Sequence, residues 1–184
     1  YLWINHSDTL EKNHQVPLMK QIYAKADRVL IHLRNTSNLH VHPLFEALRK
    51  GEPIAHPDGQ TTANQFLSQP WFSRAWVLQE AAVAKFAYVI MGADVLSWSY
   101  VWQGRFRVLG LEAVNLENRI PPALMYKESR PFKDLVSLLN AARSCSSTDP
   151  RDRIYALMGL IKNSDDLDLL ADYNKPVEHV YAAA

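Results

Sequence analysis

A chain of 184 residues with 20 basic and 19 acidic side chains is long enough for one domain with a substantial core. It is too evenly charged for a dedicated nucleic-acid binder, which carries a basic patch or an excess of Lys and Arg. Its one cysteine, Cys145, cannot form an internal disulfide, which points to a reducing, cytoplasmic setting. No apolar run approaches the length of a membrane-spanning helix, no signal peptide is visible, and a start at Tyr1 reads as a piece of a longer protein.

In chain order, short apolar runs alternate with helix-like segments, the pattern of an α/β domain with a mainly parallel sheet. "YLWI" (1–4), "RVLIHL" (28–33) and "FAYVIMG" (86–92) suit buried strands. Between the first two, "PLMKQIYAKA" places Pro17 in a tolerated first helical turn and lines Leu18, Met19, Ile22, Tyr23 and Ala26 along one face. "HPLFEALRKGEP" reads as a short helix stopped by Gly51 and Pro53, "HPDG" (56–59) as a turn, and "TTANQFLSQ" as a further short helix. "FSRAWVLQEAAVAK" (72–85) predicts one helix with Phe72, Trp76, Glu80 and Val83 on a single stripe. "ADVLSWSYVWQGRFRVLG" reads as a turn, a brief extended stretch and a helix. "PFKDLVSLLNAAR" (131–143) predicts an amphipathic helix. In "SSTDPRDRIYALMGL" (146–160), Asp149 is placed to cap a helix, Pro150 to open it and Asp152 to favour its first turn.

Among these residues Glu80 stands out. Three and four residues away lie Trp76, Val77, Val83 and Ala84, none of them a cation, so the predicted helix gives the carboxylate no ion pair. It must be solvated, paired from another segment, or held in a pocket where an unpaired acid is costly and useful. Arg151 and Arg153 either belong to the helix start or meet an acid or phosphate from elsewhere. No glycine-rich nucleotide loop is present. "HVH" (40–42) puts two histidines on one face of an extended segment without a third ligand, so no metal site is assigned. Cys145 has no neighbouring base and reads as a small filler or an exposed thiol. The tryptophans at 71, 76, 98 and 102 read as core.

"LWI", "EKNHQVPLMKQIYAKADRVLIHL", "FLSQPWFSRAWVLQEAAVAK", "DPRDRIYALMGL" and "DYNKPVEHVYAAA", in that order, resemble the fungal heterokaryon incompatibility (HET) domain. The resemblance implies one HET domain over residues 1–184, lacking the family's N-terminal Ser-Tyr-x-Trp-Gly block. It implies a role in allorecognition and regulated cell death, with an upstream activating receptor or partner domain and self-association, while the charge balance and the lack of a long apolar run argue against a nucleic-acid partner and a membrane span. Trp3 and Ile4 run into "NHSD" where the family reads Trp-Ile-Asp and then Cys-Ile-Asn-Gln, so no role is carried to Asp8.

HET domains are in turn similar to Toll/interleukin-receptor (TIR) domains, some of which cleave NAD with a glutamate on a Trp-Cys-x-x-Glu helix before a buried strand. That similarity implies a TIR-like or flavodoxin-like three-layer fold with additional helices. It makes Glu80 the catalytic residue and Ser73, Trp76, Arg151 and Arg153 the substrate-binding ones, with NAD as substrate and no bound cofactor. Here valine replaces the cysteine and the glutamate lies one position later relative to tryptophan. The alternative is a non-enzymatic module that triggers death by self-association or partner binding.

Overall fold

The computed structural model describes residues 5, 7–34, 40–54, 57–102, 124, 134–161 and 170–184. The strand expected at 1–4 lies outside them, as do residues 103–110 and 131–133 of two expected helices. The chain opens with α1 (Thr9–Gln15), whose first turn is capped by Asp8, its carboxylate accepting the Glu11 N–H at 3.0 Å. A 3-10 turn over Val16–Leu18, with Pro17 where its missing N–H costs nothing, leads into α2 (Met19–Lys25). The helix expected over 17–26 is therefore found, with an additional helix before it that periodicity did not announce.

The sheet has the order β1 (Val29–Leu33), β2 (Ala87–Met91), β3 (Asp94–Ser97). β1 and β2 are parallel, whereas β2 turns back through Gly92, at φ 65°, into an antiparallel β3. Among the described residues the sheet is mixed, which corrects the mainly parallel arrangement expected from alternating strands and helices. The reason is local: residues 92 and 93 form a tight turn, and a connection that short can only return the chain antiparallel.

One face of the sheet enters the core. Ile31 aligns with Val89, and Val89 with Leu96, all three almost wholly buried. The alternate positions differ: Leu30 is 62% exposed, Val95 43%, and Tyr88 and Ile90 are half-buried. The apolar runs expected to be buried on both faces are thus amphipathic strands, because side chains alternate across a pleat.

α3 (Val41–Lys50) puts Val41, Leu44, Phe45 and Leu48 into the same core and is stopped by Gly51 in the left-handed region, φ 71° and ψ 34°. There the Gly51 and Glu52 N–H groups both donate to Ala47 O, closing the exposed carbonyl end. Gly51→Ala must strain a Cβ into that conformation and is expected to cost about 1 kcal/mol, read as a lowered urea midpoint; an unchanged midpoint would remove this account of the helix stop. The expected extended "HVH" is a helix start instead, and His42 Nδ1 lies 2.8 Å from Asp94 Oδ1.

α4 (Gly59–Leu67) and α3 meet through edge-on rings, Phe45 to Phe66 at 5.7 Å between centroids, and Phe66 continues to Phe72 at 5.3 Å. α5 (Val77–Ala82), α6 (Trp98–Trp102), α7 (Leu135–Ala141), α8 (Asp152–Met158) and α9 (Val177–Ala182) complete the described elements. A second, smaller core of Val16, Ile154, Tyr155, Tyr173 and Val180 joins α1's end, α8 and α9. Trp76 packs against both cores.

The single helix expected over 72–85 is corrected. A 3-10 turn over Pro70–Ser73 ends in an extended Arg74 (φ −80°, ψ 136°), and α5 begins only at Val77. Long-range hydrogen bonds impose the break. Ser146 N donates to Ser73 O at 2.6 Å, and Ala75 N donates to Ser146 O at 3.0 Å, making a parallel bridge between Arg74 and Ser146. Residues 73–75 satisfy their backbone groups across the fold and so leave the helix ladder.

Candidate functional site

Glu80 lies in the first turn of α5, half-buried, and accepts a hydrogen bond at its Oε2 from the Trp71 indole N–H at 3.3 Å. Trp71 is itself held by rings, with Phe72 and Trp98 each 5.3 Å away between centroids. The aromatic run from Phe45 through Phe66, Phe72 and Trp71 thus ends on this carboxyl. Burial raises its proton affinity above the ordinary glutamate value, opposed by the Trp71 hydrogen bond and by the positive charge of Arg74. Tyr23 on α2 shares the neighbourhood. Burial and the Glu80 charge push its hydroxyl up to about 12, while Arg74 opposes them. Among the described residues no Lys, Arg or His is in ion-pair contact with Glu80.

A cavity of about 830 Å³ is lined by Arg74, Ala75 and Trp76 before α5, and by residues 146–152 before and at the start of α8, with Lys12 and Val177 also reaching it. Of the residues singled out in the sequence, the structure brings Trp76 and Arg151 together here. Glu80, Ser73 and Arg153 are not among the lining residues. Glu80 is tied to the cavity through Trp76, whose carbonyl accepts the Glu80 N–H at 3.3 Å, and through Arg74, which it feels electrostatically. Ser73 donates its hydroxyl to Pro70 O at 3.0 Å. Arg153 is exposed on α8 and its charge reaches Cys145. That thiol is buried, and burial pushes it up to about 11, which makes it a core filler rather than a nucleophile.

Asp149 is the centre of the cavity's polar wall. Its Oδ1 accepts the Arg151 backbone N–H at 3.1 Å and the Nε–H at 2.9 Å, while its Oδ2 accepts from Arg151 Nη2 at 2.9 Å and from Lys12 Nζ at 3.0 Å. These donors hold the carboxyl well below the usual carboxylate range. Arg151 also donates through Nη1 to the carbonyls of Tyr173 and Lys175, which leaves one N–H on Nη2. Lys12 Nζ sits 3.7 Å above the Tyr173 ring, and the Tyr173 hydroxyl donates to Asp152. The expected cap by Asp149 is present in altered form. Its side chain holds the backbone N–H of Arg151, and the helix itself starts at Asp152, two residues later than Pro150.

Arg74 is the residue sequence reading missed. It lines the cavity, is exposed, and its guanidinium has no hydrogen bond or ion pair among the described residues. A lone arginine between a serine and an alanine gives no local signal, because its role depends on the bridge to Ser146.

Residues 1–80 match the family model described as Heterokaryon incompatibility protein (HET). That stretch belongs to the HET family. The match takes in Ser73, Trp76 and Glu80, and ends before Arg151 and Arg153. No curated protein and no solved structure matches the chain. Among the described residues no helix is long and apolar enough to cross a membrane, and no group of three or more His, Cys, Asp or Glu side chains is placed to hold a metal.

Proposed function

We propose that this chain is a HET effector of heterokaryon incompatibility and regulated cell death, and that it acts by hydrolysing NAD at the nicotinamide–ribose bond in a TIR-like domain. The observation behind the catalytic part is Glu80, a half-buried acid bonded to the Trp71 indole, with no ion-pair partner among the described residues and its backbone N–H on Trp76, which with Arg74 lines a cavity. In the reaction the C–N bond breaks with its electron pair leaving on nicotinamide, and positive charge develops on the ribose. Ionised Glu80 stabilises that charge and takes a proton from the attacking water, giving nicotinamide, ADP-ribose and a proton. Trp76 packs on a substrate ring, and the remaining Arg151 N–H reaches a phosphate. Ser73 and Arg153 have no contact in this reading.

Glu80→Gln keeps the shape and the indole hydrogen bond but removes the charge. It is expected to lower nicotinamide release by roughly 100-fold or more. Stability moves the other way. A carboxyl whose proton affinity is raised by folding contributes stability below its unfolded pKa and loses it as pH rises through the folded one. At neutral pH the variant is therefore as stable as the parent or more so, which separates a catalytic loss from a folding loss. Unchanged nicotinamide release would end the catalytic assignment.

A second reading, death by self-association or partner binding without chemistry, draws support from the outer sheet region, where Leu30 is 62% and Phe86 61% exposed. It predicts killing by Glu80→Gln with cellular NAD intact.

A further inference from the structure

We infer that the cavity between the 74–76 segment and the 146–152 turn is a binding site for a small phosphate-bearing ligand, with Arg74 as its cationic anchor and the remaining Arg151 Nη2 N–H as a second donor. Asp149 is saturated by Lys12 and Arg151, and Asp152 takes the Tyr173 hydroxyl. The carboxylates lining the cavity are thus already engaged from the protein side.

The groups left over are donors. The Arg74 guanidinium has no partner among the described residues, and one Arg151 Nη2 N–H is free of them as well. Ser147 also lines the cavity, but its Oγ is enclosed without a hydrogen-bond partner and does not face the open space. A site whose carboxylates are engaged and whose unpaired cationic groups are guanidinium N–H donors selects an acceptor-rich anion, and the guanidinium fork matches phosphate oxygens. At about 830 Å³ the space suits a ligand of cofactor size, so the phosphate is one end of a larger soluble molecule.

Arg74 makes no hydrogen bond or ion pair among the described residues, which distinguishes it from Arg151. The inference does not depend on the reaction proposed for Glu80, and the two can fail separately.

Calorimetric titration of the full chain with inorganic pyrophosphate, at fixed ionic strength, tests it. Saturable binding is expected, weakened about tenfold or more by Arg74→Gln and less by Arg74→Lys, which keeps the charge without the fork. Arg143→Gln, an exposed cation outside the cavity lining, is expected to bind as the parent does. Pyrophosphate binding with no release of nicotinamide from NAD would leave this site standing and remove the Glu80 reaction. Absence of saturable binding, equal binding by Arg74→Gln, or an equal loss in Arg143→Gln would overturn the site.

Discussion

Asp149→Asn lowers the stability of the folded chain by about 3 kcal/mol at neutral pH. The substitution keeps the side chain's shape but removes the charge that Lys12 and Arg151 share, and it turns an N–H₂ toward one of them. Their side chains are only 11% and 21% exposed, so water compensates them poorly. The loss is at the lower end of what an uncompensated buried charge costs, because neither cation is fully buried. Because the Asp149 carboxyl is held below the ordinary range in the fold, its contribution is present above the unfolded value near 3.9 and disappears as pH falls through the folded value. Urea midpoints of parent and variant therefore differ widely at pH 7 and converge in strong acid, with similar slopes. Equal midpoints at pH 7 would show that the Lys12–Asp149–Arg151 group is a surface decoration.

Phe66→Ala is expected to cost about 4 kcal/mol, lowering the melting temperature by roughly 10 °C for a chain of this size. Phe66 is fully buried and stands between Phe45 and Phe72, edge-on to both. Truncation leaves a cavity and removes two ring pairs. Phe72 in turn braces Trp71, the donor to Glu80, so loosening this run lets water reach the carboxyl and brings its proton affinity back toward the ordinary glutamate value. A shift below about 2 °C would mean the aromatic run collapses without loss and does not brace the site.

Local sequence carried those parts of the fold whose causes are local. Strands β1 and β2, the end of α3 at Gly51 and the helix of Leu135–Ala141 follow from side-chain period and a residue able to take positive φ. α1 had its signal in Asp8 and Glu11, a cap and an acidic first turn, hidden by the expectation of a single helix beginning at Pro17. The broken 72–85 segment had no such signal, since its interruption comes from hydrogen bonds to a residue 73 positions away. The same distance explains the site. Trp76 and Arg151 were legible as an indole and a cation near an acid or a helix start, whereas Arg74 acquires its place only when Ser146 pairs with its backbone.

Glu80 is without an ion-pair partner among the described residues and yet close to a cation. Arg74 lowers the proton affinity of Glu80 without contacting it, and burial prevails. Lys12 and Arg151 are consumed by Asp149. Glu80 and Arg74 are therefore not paired with each other, although the charge of Arg74 reaches the carboxyl.

The rate of nicotinamide release from NAD by the purified chain, followed from pH 4 to pH 8 beside Glu80→Gln, tests the catalytic proposal most directly. The parent's rate should climb with pH as Glu80 ionises, with an apparent pKa above the free glutamate value near 4.3, while Glu80→Gln stays flat and roughly 100-fold lower. Release that is independent of pH and equal in the two proteins would contradict it.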